Sequence, residues 1–235
     1  MMTMPRSCSA ADSSRPLAVL VSGGLDSAIL LAESIHQCPA VWPLYVQFGL
    51  FWEKVELQHL RRFLDEIRAP ALRTLTVLDM PVADLYGEHW SMTGKKVPTA
   101  GTPDAAVFLP GRNVLLLAKA MLWCHLHGVP TLALAPLESN PFPDATPAFF
   151  ADYEAIVNKA IGGEVRVVQP YRGMHKEEVL KRGQHLPLQW TFSCIQPQEG
   201  RHCGVCNKCA ERRQAFLRAG LPDLTAYQRE GPCSA

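Results

Sequence analysis

Apolar positions along the 235-residue chain fall into two alternating rhythms. Short apolar runs stand at 17–22, 43–48, 72–78, 131–135 and 165–169. The first is bounded by Pro16 and Gly23 and the last is β-branched, as expected of strands buried on both faces. Between the runs lie segments with helical spacing, at 25–36, 52–68, 115–127 and 146–161. In 52–68 the residues Val55, Leu57, Leu60, Phe63, Leu64 and Ile67 supply an apolar face among charged neighbours. A short helix beginning at Lys176 and a final one over 207–219 complete the pattern. Strands alternating with amphipathic helices predict an α/β fold, a largely parallel sheet covered on both faces.

The stretch 80–109 breaks the rhythm. It carries Pro81, Pro98 and Pro103 with Gly87, Gly94 and Gly101, so residues 81–109 are expected to form an insertion or lid rather than core. The resulting organisation is a leader over 1–15, a main domain over 16–190 containing that insertion, and a C-terminal segment over 191–235. The leader is rich in Ser, Ala and Pro and lacks the apolar centre of a secretory signal, which predicts disorder.

Composition narrows the class without naming a function. With 48% hydrophobic and 19% charged residues the chain has the make-up of a soluble globular protein. No apolar stretch reaches the ~18–20 residues of a membrane span; the longest, 114–126, is broken by Lys119 and His125. A net charge of +1 argues against a broad nucleic-acid platform. Of eight cysteines, Cys8, Cys38, Cys124 and Cys233 are scattered, whereas Cys194, Cys203, Cys206 and Cys209 are clustered. Clustered cysteines without a secretory signal predict a metal site in a reducing compartment, here the cytoplasm.

Two motifs carry chemistry. The first is Ser22-Gly23-Gly24-Leu25-Asp26-Ser27, set between the first strand and the first helix. Paired glycines let the backbone turn and approach a ligand closely, and the helix that follows offers unpaired N–H groups to an anion. Ser22 and Ser27 can add hydroxyl donors. Asp26 is the odd member, since a carboxylate repels phosphates unless a cation intervenes; it is expected to orient Mg²⁺ or the loop itself. A plain turn with a helix cap is the alternative reading of Gly-Gly alone. The loop is neither a Walker A motif nor a G-x-G-x-x-G fingerprint.

The second motif is Cys203-x-x-Cys206-x-x-Cys209 with Cys194 upstream, and Gly200 and Gly204 give the chain freedom to wrap an ion. Four sulfur ligands suit a closed, tetrahedral, structural Zn²⁺ site. An iron–sulfur cluster uses the same ligand count, and free thiols are the third option.

The hexapeptide at 22–27 resembles the SGGxDS signature of the PP-loop ATP pyrophosphatases, in which a substrate oxygen attacks the α-phosphate of ATP and pyrophosphate leaves. Three further segments sharpen the resemblance: Phe108-Leu109-Pro110-Gly111-Arg112-Asn113, Thr191-Phe192-Ser193-Cys194, and Cys203-Gly204-Val205-Cys206-Asn207-Lys208-Cys209. In this order they look like the 7-cyano-7-deazaguanine synthase family, from about Leu17 to Asp223. The resemblance implies a Rossmann-like fold, ATP with Mg²⁺, one Zn²⁺ on the four cysteines, and a homodimer. It also implies conversion of 7-carboxy-7-deazaguanine and ammonia to the nitrile, through an acyl adenylate, an amide and a second adenylation. Nucleotide binding would then fall to Val21, Ser22, Gly23, Gly24, Leu25, Asp26 and Ser27. Asp26, Ser27, Arg112 and Lys176 are the candidate catalytic residues, the two cations replacing the missing Walker lysine. A solvated surface charge is the plainer reading of Arg112 and of Lys176. His175 is expected to be exposed.

The chain also departs from the family pattern. At 137–146 it has Leu-Glu-Ser-Asn-Pro-Phe-Pro-Asp-Ala-Thr, keeping Pro143 and Asp144 but not the flanking Gly-Tyr and Cys-Arg. Asp144 is expected either to pair with a guanine-like edge or to cap a helix, Phe142 to stack on a flat ring, and Asn113 to help bind the substrate. Residues 47–52 also lack the family's usual basic and His residues. Two other functions compete: adenylation of a different acceptor, such as a tRNA base, a protein terminus or another small carboxylate, and a zinc-stabilised nucleotide-binding module without turnover.

Overall fold

The computed structural model describes residues 14–229. The expected leader, apart from Ser14 and Arg15, lies outside the described residues, as do Cys8 and Cys233. The chain runs β1 (Leu17–Leu20), α1 (Leu25–Ser34), β2 (Val41–Gln47), α2 (Glu53–Glu66) and β3 (Thr76–Asp79). Short helices α3 (Ala83–Tyr86) and α4 (Trp90–Thr93) follow, then α5 (Arg112–Leu126), β4 (Thr131–Ala133), α6 (Pro147–Ile161) and β5 (Arg166–Val168). Helices α7 (Lys176–Arg182) and α8 (Asn207–Ala219) close the fold. Among the described residues no helix is long and apolar enough to cross a membrane.

All five strands are parallel, in the order β3-β2-β1-β4-β5. Alternation along each strand divides the core in two. Ala18, Leu20, Leu44, Val46 and Leu132 pack with Leu117, Ala120 and Met121 of α5 and Phe150 of α6. Leu17, Val19, Val21 and Tyr45 pack on the other face with Ile29 of α1, Leu60 of α2, Val179 of α7 and Phe216 of α8. Helices therefore cover both faces, as the apolar pattern predicts. The chain steps outward from β1 to β2 and β3, then returns to the far side of β1 with β4. Neighbouring strands β1 and β4 thus send their C-terminal loops apart, and a crevice opens between them.

The third strand begins later than the expected 72–78. Val41 N–H donates to Ala71 C=O at 2.8 Å and its own C=O accepts from Arg73 N–H at 2.8 Å, so Leu72 makes only an isolated bridge. By the two-residue repeat of a strand, Pro43 faces the same neighbour and has no N–H to donate. The ladder resumes at Leu44 opposite Thr76. Helix α5 starts at Arg112, earlier than the expected 115, because Gly111 takes φ = 75° and turns the chain directly into it.

Residues 81–109, set apart by composition as an insertion, contribute Val82, Val97, Val107 and Leu109 to the core. Trp90 stacks on Trp52 with ring centroids 5.7 Å apart. The same segment is sewn to the C-terminal cysteine segment: Ala100 N–H donates to Val205 C=O, Asn207 N–H to Pro98 C=O, and Asn207 Nδ2 to Thr102 C=O.

Close packing of α1 on α7 generates a stability prediction. A Cβ at Gly183 would lie 2.5 Å from Ile29 Cγ1, in a backbone conformation that does not itself require glycine. Gly183→Ala should cost about 1–3 kcal/mol by overpacking. Urea unfolding should show the loss, and the added cost of Gly183→Ala should shrink when measured in an Ile29→Ala background.

Candidate active site

A cavity of about 370 Å³ occupies the crevice at the C-terminal ends of β1 and β4. Its walls come from the 22–27 loop, from Tyr45 and Glu56, from Arg112 and Asn113, from 134–142, and from Lys176, Ser193 and Arg212. Three segments singled out for different reasons in the sequence therefore meet at one place.

The loop is built for close backbone approach. Gly23 has φ = 74°, and a Cβ there would lie 2.8 Å from Glu56 Cγ, so only glycine fits on both counts. Gly24 is the extended N-cap of α1, and no side chain caps that helix, which leaves its first-turn N–H groups and its positive dipole end to the cavity. Ser22 and Ser27 secure the turn: their hydroxyls lie 3.2 Å apart, and Ser22 N–H donates to Ser27 Oγ at 3.1 Å. The loop is held from behind by Phe192, whose N–H donates to Gly23 C=O at 2.7 Å.

Asp26 finds its cation within the protein. Lys176 Nζ lies 2.6 Å from Asp26 Oδ2 and 3.7 Å from Glu211 Oε1, and Lys208 also binds Glu211. Burial works against the lysine charge, but Asp26 and Glu211 outweigh it and hold the Lys176 pKa above its usual value. The other oxygen, Asp26 Oδ1, is buried without a partner. Arg112 lines the same cavity, and its Nε is buried with no acceptor. The two cations expected to form a clamp thus reach one cavity, Lys176 through Asp26 and Arg112 directly. His175, expected to be exposed, is so, and it begins α7 in a capping box with Glu178.

Carboxylates that the sequence reading passed over stand beside them. Glu53 accepts from the N–H groups of Phe48, Gly49 and Leu50 at 2.9, 2.6 and 3.0 Å, closing the turn into α2. Glu56 is buried and accepts from the Tyr45 hydroxyl at 2.6 Å. Burial pushes its pKa up to about 8, against the opposing pull of the Tyr45 hydrogen bond and the Arg112 charge. The fully buried positions of α2 are Glu53, Glu56, Leu60 and Phe63. That i, i+3, i+7, i+10 spacing was visible in the sequence, and two acids on the inner stripe of a helix were the signal to find them.

Of the expected substrate residues, Asn113 and Phe142 line the cavity and Asp144 does not. Asp144 is buried, and its Oδ2 accepts from Asn113 N–H at 3.0 Å, while Asn113 Nδ2 donates to Asp144 C=O at 2.9 Å. The carboxylate therefore satisfies the first turn of α5, and Thr146 caps α6 in its place. Phe142 stacks on Phe108, with ring centroids 4.9 Å apart.

Beyond the cavity, Cys194, Cys203, Cys206 and Cys209 are all buried, with their sulfurs within 4.8 Å of one another. The pairs Cys194–Cys206 and Cys203–Cys209 stand at 3.8 and 3.9 Å. Tetrahedral zinc with Zn–S bonds of about 2.3 Å places sulfurs about 3.8 Å apart, so the four residues fit that ion. Backbone N–H groups of Gln196 and Cys203 point at Cys194 Sγ, and those of Val205 and Cys206 at Cys203 Sγ, which favours thiolates. Arg212 links this knot to the cavity. It is 1% exposed, and its guanidinium donates to Thr225 Oγ1, Thr191 Oγ1, Ser193 Oγ and Leu188 C=O. The segment 188–193 that supports the glycine loop is thereby fastened to α8.

Comparison with known proteins bears on this arrangement. The family model described as Queuosine biosynthesis protein QueC matches residues 17–220. The chain belongs to the QueC family. It is 32% identical over 222 residues to the 7-cyano-7-deazaguanine synthase of Cupriavidus necator, covering 89% of this chain and 96% of that one. It is 32% identical over 224 residues to that of Thiobacillus denitrificans, covering 90% and 97%. Among solved structures it is similar to a 4-thiouridine synthetase–RNA complex with bound ATP, at TM-score 0.48 and 12% identity over 88% of this chain and 50% of that one. A likeness of that degree assigns nothing to this chain. QueC is an enzyme family that uses ATP, and the four-cysteine knot is compatible with a bound zinc ion.

Two predictions follow from the geometry. Purified protein should contain about one zinc per chain, and Cys206→Ser should lose it and lower the thermal midpoint, because structural zinc contributes folding free energy. For Glu56, the folded pKa of about 8 lies above the ordinary 4.5. Its stabilising contribution is complete below the lower value and is lost as pH rises through the higher one. Unfolding free energy measured across that window should fall with pH, and Glu56→Gln should flatten the decline.

Proposed function

We propose that this QueC family member activates a 7-deazapurine carboxylate with ATP and converts it, with ammonia, to the amide and then to the nitrile 7-cyano-7-deazaguanine. What carries the reading is the meeting of the glycine loop, Arg112 and the Lys176–Asp26 pair in one cavity of a chain that matches the family over residues 17–220. The triphosphate is held by the Gly23–Gly24 backbone and the first turn of α1, with Val21 and Leu25 fixing the strand-to-helix turn from below. A carboxylate oxygen attacks the α-phosphorus, the bond to the β-phosphate oxygen breaks, and pyrophosphate leaves. Ammonia adds to the acyl carbon, AMP departs and a proton is released, giving the amide. The amide oxygen is adenylated in turn, and AMP leaves as the nitrile forms with loss of further protons.

The protein's part is placement and charge compensation. Arg112 and Lys176 offset the growing negative charge, and the Ser22 and Ser27 hydroxyls shape the loop around it. Asn113 and Phe142 offer an amide edge and a flat ring to the acceptor. Asp26 Oδ1, buried and without a partner, is the atom suited to Mg²⁺. When bound, Mg²⁺ would neutralise charge on the leaving pyrophosphate. Zn²⁺ on the four cysteines would be structural, because four sulfurs leave no open position.

A cytoplasmic location is supported by the four clustered thiols, whose metal-ligand spacing suits a reducing compartment. A homodimer is supported by the exposed apolar side chains Val114, Leu122 and Leu126 of α5 and Ile156 of α6. One observation favours a second acceptor: Asp144, matched to the family's substrate segment, is spent on Asn113. A different small carboxylate would then be adenylated by the same loop.

Incubation with ATP, Mg²⁺, ammonia and 7-carboxy-7-deazaguanine should yield AMP, pyrophosphate and a nitrile by mass spectrometry. AMP absent with this acid but present with another carboxylate would favour the second reading. Asp26→Asn should lower AMP release by about 10²-fold or more while circular dichroism stays native. An unchanged rate would remove Asp26 from the site.

A further inference from the structure

Nitrile formation from a carboxylate and ammonia releases protons from nitrogen in both C–N steps, so the site needs a group to take them. This inference rests on the function proposed above. Among the described residues, four carboxylates line the cavity: Asp26, Glu56, Asp104 and Glu211. Asp26 and Glu211 are both paired with Lys176, and Glu211 also with Lys208, so each is engaged by a cation. Asp104 is exposed to water in a one-turn 3₁₀ helix. Glu56 differs from all three. It is 7% exposed, it makes no salt bridge, and its hydrogen bond at 2.6 Å comes from the neutral hydroxyl of Tyr45. Its Cγ also packs against Gly23, which puts the carboxyl directly beside the loop that carries the phosphates.

We propose that Glu56 is the proton acceptor of the C–N steps. In the second half-reaction the nitrogen of the adenylated amide loses its first proton to water and gives its remaining proton to the Glu56 carboxylate. The electron pair left behind forms the third C–N bond, the C–O bond breaks, and AMP leaves with that bonding pair. In the first half-reaction the same carboxylate takes a proton from the ammonia nitrogen as AMP is displaced, and passes it to water through the open cavity before the next cycle.

The surroundings suit the task. The groups facing Glu56 are the Tyr45 hydroxyl from β2, Glu53 and the Trp52 indole from α2, and the Arg112 charge from α5. Tyr45 is itself held protonated, chiefly by burial and by Glu56 and Glu53, so it remains a donor and aims the carboxyl. Burial raises the Glu56 pKa to about 8, close to neutral pH, where a general base combines availability with driving force.

The experiment separates adenylation from proton transfer. Carboxylate-dependent exchange of pyrophosphate into ATP reports the first C–O–P bond, and conversion of supplied amide to nitrile reports the proton step. Glu56→Gln should keep the exchange within about threefold while nitrile formation falls about 10²–10⁴-fold. In the wild type the rate of nitrile formation should rise with pH to a midpoint near 8, and this limb should vanish in Glu56→Gln. Equal loss of exchange and nitrile would make Glu56 a prop for the glycine loop and overturn the assignment. Nitrile formation within about threefold of wild type, or an unmoved pH limb, would overturn it as well. Tyr45→Phe is the companion variant should Glu56→Gln fail to fold. Losing a hydrogen bond that favours the carboxylate should move the midpoint upward, and an unmoved midpoint would overturn the proposal. A wild-type protein that shows no exchange with the carboxylate would fail the functional reading itself, and the Glu56 assignment would fall with it.

Discussion

The bond from Phe192 N–H to Gly23 C=O holds the phosphate loop in place, and much of the molecule serves to keep it there. Gly23 turns with positive φ against Glu56 and, like Gly24, has no side chain with which to grip its surroundings. Its anchor has to come from elsewhere. Phe192 is buried, in ring contact with His59 and His202, and its neighbours Thr191 and Ser193 are pinned by the guanidinium of Arg212. Arg212 belongs to α8, and α8 begins between Cys206 and Cys209. A distant cysteine knot is thereby connected, through one buried arginine, to the backbone that faces the nucleotide.

This connection gives the cysteine knot a structural role at a distance from the cavity. Four sulfurs at tetrahedral spacing leave no position for substrate, yet they fix the start of α8 and the direction of Arg212. The same knot receives 97–102 through the Asn207 and Ala100 hydrogen bonds, so the 81–109 segment is tied to the same helix that, through Arg212, supports the glycine loop. Rigidity behind a loop is what lets it hold a ligand in a fixed position.

The charges of the cavity are sorted by their partners. Lys176 is shared by Asp26 and Glu211, which keeps it protonated and at the mouth of the loop. Arg112 lines the same cavity from α5 with its Nε–H unpaired and free to donate to an oxygen of a ligand. Glu56 is buried beside Tyr45 and Trp52 with Arg112 and Glu53 facing it, and burial makes its carboxyl hold its proton to higher pH than in water. The departures from the family pattern lie mainly along the acceptor side, where Trp52 stacks on Trp90 and Asp144 is turned to α5.

What the sequence by itself determined was whatever local chemistry can specify. Alternating apolar runs and helices specified a doubly covered parallel sheet, since burial on both faces demands continuous apolar strands. Gly-Gly after the first strand and four cysteines at ligand spacing specified an anion loop and a metal knot, because each motif is complete within a few residues. Tertiary structure alone decided the rest, through pairs distant in the chain. Asp26 meets Lys176 across 150 positions, and Asp144 meets Asn113 across 31, so neither partner was legible locally. Glu56 lay hidden for a different reason: the buried stripe of α2 joins Glu53 and Glu56 to Leu60 and Phe63, while Val55, Leu57, Leu64 and Ile67 are only partly buried. A helix turns its acids inward when the wall it faces offers donors, and only the folded chain shows that Tyr45 and the turn at 48–50 supply them.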